Sequence, residues 1–162
     1  CNSKYGNNGW LGIAQVWANG DHITQGTVKF NDTYFNTAKY NKPEWRNLVL
    51  CQEVGHTFGL DHQDENFDNV NLGSCMDYTS NPLSNQHPNV HDYEMLESIY
   101  QHVDQASTVK TTTTSLRARD IPVSERSEWG KEVRRDSKGN SSVYRKDLGN
   151  NEAVFTFVVW AN

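Results

Sequence analysis

Four side chains between positions 52 and 62 have the types and spacing that metal-assisted hydrolysis needs: Gln52, Glu53, His56 and His62, in the stretch CQEVGHTFGLDH. On a helix, residues four apart lie one above the other on one face, so Gln52 and His56 can converge on a single point. Glu53 is their neighbour, turned slightly aside, where it can address a water held at that point. Gly59 lets the backbone leave the helix, and the chain can then bring His62 back to the same place. Three neutral donors leave a fourth position for water, which is the open arrangement of a catalytic zinc. A carboxylate beside that water is placed to act as its general base.

Such a set needs a helix that starts before Gln52 and stops at Gly59. NKPEWRNLVLCQEVGHTFG supplies one: Pro43 suits the first turn, and Trp45, Leu48, Val49, Gln52, Glu53 and His56 recur at helical spacing. Gly59 is a natural stop. Upstream, GWLGIAQVW (9–17) and HITQGTVKFN (22–31) read as two neighbouring strands across the turn ANGD. The stretch 60–82 is polar and loop-like. HPNVHDYEMLESIYQHVDQA (87–106) reads as a second helix whose apolar stripe is Val90, Tyr93, Met95, Leu96, Ile99, Tyr100 and Val103. The Thr-rich run that follows has no apolar period and reads as an extended linker. SSVYRKDLG and AVFTFVVWA then look like a hairpin or a small set of strands. The expected division is 1–105 as the main domain, 106–122 as linker and 123–162 as a small β-rich extension.

With His at position 52, residues 52–62 would read HExxHxxGxxH. The stretch resembles the signature of the metzincin zinc endopeptidases, and GHTFGLDH is similar to the matrixin branch in particular. Downstream, CMDY is similar to the methionine-turn, with Met76 as the turn methionine and Tyr78 two residues on. In several metzincin families a tyrosine at that offset binds the metal or steadies the reaction intermediate. The resemblance covers roughly Gly9 to Val103 and is specific from Glu53 to His62 and at Met76–Tyr78. It implies an α+β, metzincin-like fold: a twisted sheet with an antiparallel edge strand, an active-site helix, the Met-turn and a C-terminal helix. The first strands and first helix of such a unit have no counterpart here, so a fragment is expected. It also implies a zinc-dependent endopeptidase. Gln52, His56 and His62 would hold one Zn2+, Glu53 would serve as base, Tyr78 would help stabilise the oxyanion, and Gly59 and Met76 would support the site. A peptide or protein substrate would lie extended beside HITQGTV as an added strand.

Gln52 is the departure from that pattern. A glutamine carbonyl oxygen has about the reach of an imidazole nitrogen and is equally neutral, but it is a harder and poorer donor to zinc, so affinity should fall. It also leaves the ion more electron-poor, which favours acidifying a bound water. Glu53, His56, Gly59, His62, Met76 and Tyr78 are all present and in order, which favours a working site. The alternative is a catalytically inactive metzincin-like module that binds a peptide or protein without cutting it.

Other features bound the reading. A net charge of −5 and a pI near 5.6 leave no basic stripe for nucleic acid. No apolar run approaches the length of a membrane span. Hydrophobic content of 35% describes a polar chain of the soluble type, expected to be a monomer. Three cysteines cannot all pair within one chain. A Cys51–Cys75 disulfide would tie two parts of one site together and fit a secreted location; the alternative is three free thiols in the cytosol. The chain opens on Cys1, whose partner is expected to lie outside a processed or truncated product. His22, His87, His91 and His102 are scattered and read as surface or capping residues, with His87 and His91 next in line as ligands should Gln52 not bind. Asp61–Asn69 offers oxygen ligands for Ca2+ but lacks EF-hand spacing, so a solvated loop outweighs a calcium site. Sequons at Asn31 and Asn140 are short patterns of low specificity. Trp129, Tyr144, Phe155, Phe157 and Trp160 suit either a ligand face or a small core.

Overall fold

A computed structural model describes residues 1–102 and 121–161. The linker expected over 106–122 falls outside them except for Ile121 and Pro122, as does Val103 of the expected helical stripe. The architecture is α+β: a five-stranded antiparallel sheet and, among the described residues, three α-helices.

Strand β1 (Trp10–Asn19) turns at Asn19–His22 into β2 (His22–Phe30), as the alternating apolar pattern and the ANGD turn lead one to expect. Helix α1 (Asp32–Phe35) is one short turn capped by Asn31, whose side chain accepts from Thr33 N. The same Asn31 side chain donates to the Gly6 and Trp10 carbonyls, which buries the amide of one of the two sequons. Helix α2 (Pro43–Thr57) begins with Pro43 at its first position and buries Trp45, Leu48, Val49, Gln52, Glu53 and His56. Helix α3 (Val90–Tyr100) starts at a capping box, in which Asn89 accepts from Asp92 N and Asp92 accepts from Asn89 N. Its expected apolar stripe is largely in solvent. Val90, Tyr93, Met95 and Tyr100 are exposed, and Leu96 alone of the described stripe joins the main core.

The C-terminal stretch is β-rich, as expected, and supplies β3 (Lys131–Arg135), β4 (Ser141–Gly149) and β5 (Glu152–Trp160). These strands continue the sheet of the first two. The order is β2-β1-β5-β4-β3, so the last strand of the chain is the middle one. It pairs with β1 over nearly its whole length, from Asn19↔Glu152 to Trp10↔Trp160. The composition of β1 suits a strand with neighbours on both edges and cover on both faces, because it is buried without interruption from Trp10 to Trp17.

Alternation along β5 divides its side chains between two cores. Val154, Val158 and Trp160 face Ile13, Trp17, Ile121, Val123, Trp129 and Tyr144 on one side of the sheet. Val159 joins Leu11, Phe30, Leu48, Val49 and Met76 beneath α2 on the other. Helix α2 lies close to the strands because β1 carries Gly12 there: a Cβ at that position would fall 2.6 Å from both Val49 Cγ1 and Glu53 Oε1.

A Cys51–Cys75 disulfide joins α2 to the Met76 turn, and Cys1 is exposed with a free thiol. Closing a loop with a sequence separation of 24 should contribute about 3 kcal/mol by restricting the unfolded chain. Reduction, or the paired change Cys51→Ala and Cys75→Ala, is therefore expected to lower the denaturant midpoint by a corresponding amount. Identical unfolding curves with and without reductant would show that the bridge contributes nothing. Among the described residues, no helix is long and apolar enough to cross a membrane.

Candidate functional site

The geometry of the site starts at the end of α2. Gly59 adopts φ +91°, a left-handed conformation that glycine enters without a Cβ penalty. Gly59 N then bonds to His56 O and Leu60 N returns to Gly55 O, the paired bonds of a Schellman stop. This reversal places the Leu60 carbonyl 2.8 Å from His56 Nδ1. A carbonyl only accepts, so Nδ1 carries the proton and Nε2 presents its lone pair.

His62 is set by the next few residues. Gln63 N donates to Met76 O and Tyr78 N to Asp64 O, which lays the loop after His62 along the Met76 turn. The His62 ring rests against Tyr78, with centroids 4.6 Å apart, and its Nδ1 lies 2.5 Å from Glu65 Oε1. The two Nε2 atoms, of His56 and His62, are then 2.9 Å apart. A proton on one ring satisfies this pair as a hydrogen bond, and a cation satisfies both lone pairs at once. Across a tetrahedral zinc with bonds of about 2.0–2.1 Å the nitrogens would stand about 3.3 Å apart, so the pair needs to open by only about 0.4 Å.

Gln52 lies one turn before His56 on the buried face of α2, 1% exposed, and its amide nitrogen has no hydrogen-bond partner. It shares a small hollow with Trp45, Phe67, Tyr78 and Val159. Glu53 packs toward β1 with neither carboxyl oxygen in a well-formed hydrogen bond. Burial pushes its carboxyl well up, only partly offset by the nearby Ala14 and Val159 backbone. Burial and then the His62 charge push His56 well down, so its ring stays neutral and able to act as a donor to a metal.

The Met76 side chain is fully buried, and its sulfur sits where a Cβ on Gly55 would be, 2.6 Å away. Ser74 Oγ accepts from Met76 N and donates to Asp92 Oδ2, which ties the turn to the cap of α3. His87 meets the turn through its backbone, its carbonyl accepting from Cys75 N. Tyr78 does not aim its hydroxyl at the histidines: it donates to Val158 O on β5 at 3.2 Å. Burial, then the Glu65 and Glu53 charges, push that phenol well up.

Three further participants have roles that sequence reasoning does not assign. Glu65 belongs to the loop expected to be solvated, yet it holds His62. Phe157 stacks on the His56 ring at 4.0 Å between centroids, 11° from parallel. Arg134 from β3 pairs with Asp61 and brings Nε within 2.8 Å of Glu65 Oε1, an ion-pair contact too poorly aligned for a hydrogen bond. The alternation of AVFTFVVWA is the one signal that could have placed Phe157 on the helix side. Asp61, Glu65 and Asp64 all have protein partners, Asp64 through Asn66 N and Asn69.

Beside His56 opens a groove of about 380 Å³, lined by Ile23, Leu60, Arg134, Phe155 and Phe157 among others. β2 forms one edge of the sheet, where an extended peptide could add as a strand. Among the described residues, no three His, Cys, Asp or Glu side chains gather as a metal-holding group; of the three expected ligands, His56 and His62 meet, and Gln52 lies in the neighbouring hollow. Compared with models of known protein families, with curated proteins and with solved structures, the chain matches none.

Proposed function

We propose that the protein is a zinc-dependent endopeptidase of metzincin-like type, acting on peptides or proteins outside the cytoplasm. The observation that carries this reading is the His56–His62 pair, whose Nε2 atoms face each other at 2.9 Å while both Nδ1 atoms are held by oxygen acceptors. Two anchored imidazoles with converging lone pairs are what a divalent zinc site asks of its ligands and their supporting shell. Gln52, one turn away on the same buried face of α2, is the third residue we assign to the ion, through its amide oxygen. When bound, zinc supplies a Lewis acid that polarises a peptide carbonyl and acidifies water.

The chain's own residues do the rest. A substrate strand lies against the open edge of β2, and a side chain enters the groove beside His56. Glu53 takes the proton of the attacking water on its carboxylate and returns it to the leaving amine. Its burial keeps its proton affinity high, so the charge of a bound cation would be needed to favour the carboxylate that accepts the proton. The disulfide between Cys51 and Cys75 is compatible with an extracytoplasmic setting.

A second reading has its own support. Gln52, Glu53 and His56 are all at most 1% exposed, and Phe157 covers His56. A site closed in this way also suits a silent relative that binds a peptide in the groove without cutting it. Zinc analysis of chain purified without chelators separates the two: about one zinc per chain is expected for the enzyme. Glu53→Ala should abolish cleavage of an unfolded protein substrate while zinc content stays the same. Cleavage that survives this change would remove Glu53 from the mechanism.

A further inference from the structure

We propose that Glu65 is the positioning residue of His62, fixing its Nδ1–H tautomer and turning its Nε2 toward His56, and that β3 and β4 hold Glu65 in that role. The inference rests on the metal-site reading of His56 and His62 given above. Glu65 Oε1 accepts from His62 Nδ1 at 2.5 Å. Its other oxygen accepts from Ser142 Oγ of β4 at 2.8 Å, and its backbone carbonyl accepts from Ser137 N. Arg134 of β3 lies against Oε1 and is itself forked onto Asp61, the residue before His62. Three groups from the C-terminal half thus fix one glutamate through both its side chain and its backbone.

The consequence is chemical. A neutral histidine in water prefers its proton on Nε2, the atom a metal needs bare. A carboxylate on Nδ1 reverses that preference and makes the ring a better donor. His56 obtains the same result from the Leu60 carbonyl, which is local to its own helix end. His62 obtains it only because the distant strands are folded against the loop. Ligand preparation at His62 is therefore a property of the whole sheet.

The test uses the full chain stripped of metal. Histidine-labelled protein is examined by nitrogen-15 NMR for the tautomer of His62, and cobalt(II) is then titrated while its visible absorption is followed. In the unaltered protein His62 is expected to carry a proton on Nδ1, whether or not its Nε2 also shares one with His56. Glu65→Ala should release it to the Nε2–H form and weaken cobalt binding by about 10- to 100-fold. Glu65→Gln keeps an acceptor oxygen and should recover much of both. Ser142→Ala, which removes one anchor with little change in packing, should shift both readouts the same way by less, and it guards against a Glu65→Ala chain that does not fold. An unchanged tautomer with unchanged cobalt affinity in Glu65→Ala overturns the proposal. If the unaltered protein takes up no cobalt, the metal reading fails, and the tautomer alone then decides whether Glu65 sets His62.

Discussion

A chain ended after Gln105 is expected to lose cooperative unfolding altogether. Read as a main domain with an appendage, the sequence suggests that residues 1–105 could stand alone. The sheet order says otherwise, because β5 occupies its middle and bonds β1 along its length. Ending the chain there removes Ile121, Val123, Trp129, Tyr144, Val154, Val158 and Trp160 from one core and Val159 from the other. Each buried side chain of this size contributes roughly 1.5–3 kcal/mol. Their combined loss exceeds about 10 kcal/mol, comparable with the whole stability of about 5–15 kcal/mol typical of a domain. Circular dichroism on heating should show no sigmoidal transition, and a dye that binds exposed apolar surface should bind strongly. A soluble truncated chain with a sharp transition would establish 1–105 as a self-standing unit and refute the argument from β5.

The parts of this molecule that were legible in the sequence are those set by near neighbours. That His62 returns toward His56 follows from one helix turn and one glycine stop, so the spacing QEVGHTFGLDH contains it, although the orientation of the His62 ring does not. The β1–β2 hairpin, helix α2 and the Cys51–Cys75 bridge are local or nearly so. What the sequence hides is long-range. Glu65 looks like one more acid in a polar loop until Ser142, 77 residues away, reaches it. β5 reads as a strand from its alternation, but nothing in its composition says that it enters between β1 and β4. Helix α3 has a strong apolar stripe and leaves most of it in solvent, because the contacts that fix it run through the polar cap at Asp92. Periodicity indicates which residues can be buried together, whereas pairing across the sheet depends on the folded chain.

Glu53→Gln should make the metal-free protein more stable, by an amount that grows with pH. Burial raises the Glu53 carboxyl well above its ordinary 4.5, so the folded chain keeps a proton that the unfolded chain has lost above that pH. The native state binds more protons there, and stability falls as pH rises by about 1.4 kcal/mol per pH unit until the native carboxyl ionises. His56 works in the opposite sense. Its native value is pushed well below its ordinary 6.5, so below pH 6.5 the unfolded chain binds the extra proton and stability rises with pH, becoming level above it. Between 4.5 and 6.5 the two slopes oppose, and above 6.5 the Glu53 slope stands alone. Glutamine has the shape of the protonated acid and cannot ionise, so the variant should follow the wild type below pH 4.5 and separate from it at higher pH. Denaturant unfolding at several pH values in the presence of a chelator measures the difference. Adding zinc to the wild type should flatten its slope, since a cation held near Gln52 and His56 favours the ionised carboxylate. Parallel curves for the two proteins across this range would mean that Glu53 has a partner or solvent access in solution, and the case for it as a buried base would go with them.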